Sequence, residues 1–113
     1  MIIDAHIHVG AWDHPDFLGR SCTLDDTIEV LTSAGIGGAA ICPTDRCENA
    51  QLLADARRVV REGYAGKLWV FPWVRPVSDS GPGAADLRFV EENRASICGV
   101  KIHPSLSRLR LTD

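Results

Sequence analysis

Asp4, His6 and His8 stand at alternate positions in the opening segment IIDAHIHVG. In an extended chain successive side chains face opposite ways, so these three share one side. Neutral imidazoles converging from one face can hold a single divalent cation, and zinc matches their softness best. Asp4 lies one pleat deeper, placed either to orient a ligand from behind or to join the interior of the sheet. Lys101 and His103 repeat the spacing of two near the other end of the sequence. An ammonium pointed into a sheet is costly without a partner. Either Asp4 supplies one as an ion pair, or Lys101 meets a substrate or a metal. His103 immediately precedes Pro104, and it is the candidate substrate contact. The rival reading of each imidazole is a core histidine satisfied by ordinary hydrogen bonds.

Positioning these groups requires strands, and the sequence alternates short β-rich runs with helical stretches. Residues 2–9 read as a strand bounded by Gly10. Thr23 reads as an N-cap with Asp25 and Asp26 in the first turn. Leu24, Ile28 and Leu31 then mark one face of a helix over 24–34, with Gly35 just past its end. Residues 38–42 (GAAIC) fit a buried strand ending at Pro43. A second helix is expected over 47–62, with Asp45 as its cap and Arg57, Arg58 and Arg61 solvated. A third strand spans 67–71, a loop 78–83, a third helix 84–93 with Leu87 and Val90 inward, and a fourth strand 97–103. The order β-α-β-α-β-α-β predicts four parallel strands joined by right-handed crossovers, in sequential order with the helices on one side. Pro43, Pro72 and Pro104 all fall at strand C-terminal ends, the edge where parallel α/β folds bind ligands.

Around that edge lie further candidates. The connection from Gly10 to Cys22 is long for a βα loop and carries Trp12, His14, Phe17 and Arg20. It reads as a lid or substrate wall. His14 is either a third metal ligand or a surface histidine. Trp69, Phe71 and Trp73 share a strand face, with core packing the default reading. Cys22, Cys42, Cys47 and Cys98 form no C-x-x-C pair. They read as reduced thiols, with Cys42 and Cys98 as small core residues rather than nucleophiles.

Composition narrows the classes. A chain of 113 residues is one domain by size. Its net charge of −3 argues against a nucleic-acid binder. No apolar run approaches the roughly 18 residues of a membrane span. The N-terminus lacks the basic region of a signal peptide, so a cytoplasmic protein is expected.

The two motifs together resemble a known family. IIDAHIHVG resembles the first strand of the amidohydrolase superfamily, with its Asp-x-His-x-His signature. CGVKIHP resembles the Gly-x-Lys-x-His-Pro pattern on the fourth strand of the amidohydrolase-related branch. That branch includes the aminocarboxymuconate-semialdehyde decarboxylase-like proteins. The resemblance spans nearly all of the chain and implies a (β/α)8 TIM barrel with His6 and His8 as metal ligands. In the family, further histidine ligands lie on the fifth and sixth strands. An aspartate on the eighth completes the site and activates water. These 113 residues reach only the fourth strand, so residues 1–113 are expected to form the N-terminal half of such a barrel.

The expected function is therefore the N-terminal part of a metal-dependent hydrolase or decarboxylase. Its substrate would be a small organic acid, lactone or amide, attacked through metal-activated water. The cofactor would be a divalent metal, zinc above all. The rival is a non-catalytic half-barrel that binds metal or self-associates. A phosphoesterase or nuclease would need more basic residues at the strand ends than Arg20, Arg46, Arg75 and Lys101 supply.

Overall fold

The computed structural model describes residues 1–75 and 83–107. Most of the loop expected at 78–83, and residues 108–113 of the final stretch, lie outside them. The architecture is α/β, built on one open four-stranded sheet. β1 (Ile2–Ala11) pairs parallel with β3 (Ile36–Pro43), and β3 pairs parallel with β4 (Lys67–Val70). The fourth member, β2 (Ser21–Cys22), folds back antiparallel on the end of β1, giving the order β2-β1-β3-β4.

The parallel strands keep the sequential order expected of them, but the count of four parallel strands is corrected in two places. β2 comes from the long loop, which closes as a hairpin with Gly10 opposite Cys22 and Ala11 opposite Ser21. Residues 97–103 do not form a strand. They make one isolated parallel bridge, Trp73 to Lys101, with backbone bonds from Lys101 N to Pro72 O and from Val74 N to Lys101 O, both 2.8 Å. The reason lies in their neighbour. β4 stops at Val70, and Pro72 has no N–H to continue a ladder.

α1 (Leu24–Ser33) starts where expected. The Thr23 hydroxyl accepts from the Asp26 N–H at 3.1 Å while the Asp26 carboxylate accepts from the Thr23 N–H at 2.9 Å, a reciprocal capping box. α2 (Asn49–Arg61) begins at Asn49, with Glu48 at the N-cap and no side-chain cap bond. Asp45 does not cap it. Its carboxylate instead accepts from the N–H groups of Asp13 (2.8 Å) and His14 (3.0 Å), pinning the long loop. Arg58, one-third exposed, bridges α2 to the exposed Asp25 of α1 at 2.6 Å.

Both helices cover one face of the sheet. Val9, Ala39, Ile41 and Val70 from the strands meet Leu24 and Leu31 of α1 and Leu52 and Ala56 of α2 in a single core. A wholly buried leucine such as Leu52 contributes about 2–5 kcal/mol relative to alanine. α3 (Gly83–Asn93) packs on α2 with a different face inward from the one expected. Leu87 is exposed and Asp86 is buried, because the carboxylate is drawn in by Arg75 and Asn49. α4 (Pro104–Ser107) is a single turn.

Candidate metal centre

The site begins with an irregularity in β1. Between Asp4 and Ile7 the chain advances three residues, while its partner β3 advances two, from Ala39 to Ile41. The extra residue bulges the strand across Ala5 and His6. Asp4 Oδ1 closes the bulge by accepting from the His6 N–H at 3.0 Å. The Asp4 carboxylate is thus turned onto its own strand, and the ion pair considered for Asp4 and Lys101 is not formed.

From the bulge onward His6 and His8 share a face, with one residue between them. Their Nε2 atoms lie 2.9 Å apart, and the Lys101 ammonium is 3.1 Å from each. An ammonium only donates, so both nitrogens present lone pairs to it. An imidazole that accepts from Lys101 carries its ring proton on Nδ1. Where both do so, the Lys101 cation offsets the repulsion of the two facing lone pairs. Burial, then the charge of Lys101, pushes the His8 pKa down to about 4, so its imidazole is neutral at physiological pH.

A third donor stands opposite. Cys42 on β3 is the register partner of His8. Its Sγ lies with the two imidazole nitrogens in a group whose ligand atoms are all within 4.8 Å of one another. The thiol donates to Ile7 O at 3.3 Å. Burial pushes its pKa up, against the pull of Lys101. Cys42 is buried, as sequence reasoning expected of a core residue; its place beside the histidines was not expected. The signal that could have found that place is the alternation in GAAIC. Ala39 and Ile41 face the helices, so Cys42 falls on the histidine side, at the same strand end.

These donors fit a zinc-like ion. Two nitrogens each about 2.0–2.1 Å from a tetrahedral zinc sit roughly 3.3 Å apart, so the pair at 2.9 Å would open by a few tenths of an ångström to hold one. Imidazole and thiol suit zinc in softness. One support is missing. Nδ1 of metal-bound histidines usually donates to a carboxylate or carbonyl, whereas His8 Nδ1 is buried without a partner among the described residues.

Lys101 is held from behind by a buried polar clamp. Asn49 Oδ1 accepts from the Trp73 N–H at 2.8 Å, and Asn49 Nδ2 donates to Trp73 O at 2.9 Å. Asp86 accepts from Asn49 Nδ2 at 3.2 Å and takes two bonds of 2.7 Å from the Arg75 guanidinium. The clamp fixes the backbone segment to which Lys101 is bridged.

The other candidates are arranged around this cluster rather than in it. The His103 ring lies 6.0 Å from that of Trp73, and its Nδ1 accepts from the Leu106 N–H at 3.4 Å. Burial and Lys101 hold its pKa below the ordinary value. His14 caps the single 3-10 turn Pro15–Phe17 and faces Asp16 at 3.6 Å, so it belongs to the loop and not to the ligand group. Trp12 stacks on Phe17 with centroids 4.1 Å apart and lies 4.9 Å from the His8 ring, making the long loop a wall of the site. Gly10 permits that wall. Its φ is +116°, and a Cβ there would meet Thr44 Oγ1 at 2.5 Å.

An open cavity of about 300 Å³ adjoins the cluster, lined by His6, Cys42, Phe71, Lys101 and Ile102 among others. Trp69 and Phe71, expected in the core, are only half-buried and stand outside its cluster, while Trp73 is buried. A larger groove of about 660 Å³ lies by Met1, Gly35 and Tyr64, at the opposite end of the strands, and touches none of the candidate residues. Among the described residues no helix is long and apolar enough to cross a membrane.

No family model, curated protein or solved structure matches this chain.

Proposed function

We propose that the chain is the N-terminal part of a metal-dependent hydrolase or decarboxylase of the amidohydrolase-related type, with its sheet as the first half of a (β/α)8 barrel. The observation that carries this is the convergence of His6 and His8 Nε2 atoms, 2.9 Å apart, beside an open cavity. The sequential order of the parallel strands and the single helix-covered face support the barrel reading. His6 and His8 hold the ion. When bound, the ion supplies Lewis acidity that polarises a carbonyl and acidifies water. Trp12, which lines a separate cavity with His8, and His103 are assigned to contacts with a small organic acid, lactone or amide. Lys101 brings a positive charge to the same space, which suits a carboxylate-bearing substrate. The four free thiols support a cytoplasmic setting.

The test is a zinc titration of the chelator-treated chain by calorimetry. One zinc per chain is expected, lost in His6→Ala and in His8→Ala. Absence of binding by the unaltered chain refutes the metal reading.

A second reading is favoured by a specific observation. Ile3, Val100 and Ile102 are exposed apolar residues on β1 and on the segment carrying Lys101. A non-catalytic half-barrel that associates with itself, or with the remaining half of the barrel, would cover them. Turnover of an amide or lactone by the purified chain would exclude it.

A further inference from the structure

We propose that Cys42 is the third protein ligand of the ion held by His6 and His8, giving a two-nitrogen, one-sulfur donor set. This rests on the metal reading above and goes beyond it, because it adds a ligand from β3 and selects among metals.

Three observations carry it. The first is position: Cys42 is paired in register with His8 across adjacent parallel strands, so their side chains emerge side by side on one face. The second is convergence. The Cys42 Sγ and the two imidazole nitrogens form the one such group found among the described residues, with every pair of ligand atoms within 4.8 Å. The third is surroundings. The thiol is buried, its hydrogen bond runs to the Ile7 carbonyl of the strand that bears the histidines, and the Lys101 ammonium acts on it. A cysteine placed only for packing has no need to face two lone pairs and a cation.

Three ligands from two neighbouring strands make a site with room for a fourth, outer ligand, the arrangement of catalytic zinc. The sulfur biases the site toward thiophilic ions such as zinc and away from magnesium or calcium, which prefer oxygen. As the sulfur–metal bond forms, the thiol proton leaves to solvent, and the Lys101 ammonium must withdraw from the position it holds between the histidines.

The experiment is a titration of the chelator-treated, reduced chain with cobalt(II), followed by absorbance. Visible ligand-field bands report the imidazole site, and a near-ultraviolet sulfur-to-cobalt band reports a thiolate ligand. Both are expected in the unaltered chain. Cys42→Ser should keep the visible bands, lose the near-ultraviolet band and bind cobalt more weakly, since a hard hydroxyl replaces the soft thiolate. A variant with Cys22, Cys47 and Cys98 all changed to serine should keep both bands. It tests the proposal even where Cys42→Ser does not fold. Visible bands with no sulfur band in the unaltered chain overturn the Cys42 assignment and leave the histidine site standing. A sulfur band lost in the triple variant assigns the sulfur to another cysteine and also overturns it. No cobalt bands at all overturns both readings.

Discussion

At His6 and His8 the lone pairs that would receive a metal are already engaged by Lys101, 3.1 Å from each. Ion and ammonium therefore compete. Lys101→Met removes the resident cation and its repulsion while keeping the length of the side chain. A charge-assisted hydrogen bond is worth about 1.5–3 kcal/mol, so zinc should bind roughly tenfold tighter or more in this variant, read by calorimetry. Weaker binding would mean that Lys101 supports the ion instead. The metal-free chain should also be acid-sensitive. The folded-state pKa of His8 lies at about 4, below its ordinary value of 6.5. The unfolded chain then takes up the proton first, and stability falls as pH drops from about 6.5 toward 4. In chelator-treated protein the urea midpoint should be lower at pH 5 than at pH 7, and His8→Gln should reduce that difference. The pair His6 and His8 was legible in sequence because alternation in a strand is a purely local property. Cys42 was not, since its meeting with His8 depends on the register between two strands 34 residues apart, which local pattern does not encode.

Among the elements, the clamp of Asn49, Asp86 and Arg75 ties α2 and α3 to the segment that presents Lys101. Asp86 is almost wholly buried. Asp86→Ala would strand the Arg75 guanidinium and one Asn49 donor, at a cost of about 2–3 kcal/mol. Urea unfolding checks the loss. The same variant should shift the competition between Lys101 and zinc, which a change of stability alone would not do. The clamp was hidden in the sequence. An aspartate in a helical run reads as solvated, and that assumption placed Leu87 inward when the helix turns Asp86 inward instead. α1, by contrast, was legible to within a residue, because Thr23 and Asp26 satisfy each other within one turn. The strand expected at 97–103 failed for a reason also visible in principle. A proline in the neighbouring segment removes the donor that a parallel ladder needs, and Pro72 reduces the pairing to one bridge at Lys101.

At the scale of the whole molecule, one sheet face is packed by helices and the other is open around the candidate site. Exposed Ile3, Val100 and Ile102 lie on the segments that flank it. Exposed apolar side chains and an unpaired edge favour association. Light scattering of the purified chain should show mass increasing with concentration, and Ile102→Lys should reduce it. A chain that stays monomeric throughout would remove the case for self-association through these residues. A site made of the three proposed ligands, open to solvent, would also lack the water-excluding environment that strengthens catalytic electrostatics. The isolated chain should therefore bind metal yet turn over amides and lactones poorly, measured by product formation with zinc added. The parallel order of this sheet was readable from the alternation of apolar runs. Its antiparallel β2 was not, because a two-residue strand leaves no periodicity to read. The indole of Trp12, 4.9 Å from the ring of His8, gives the protein an optical reporter of its own. Whatever cation occupies the imidazole pair alters the electric field across that ring. Emission of Trp12 should then follow occupancy without any added dye, and Trp12→Phe should abolish the zinc-dependent change while the emission of Trp69 and Trp73 persists.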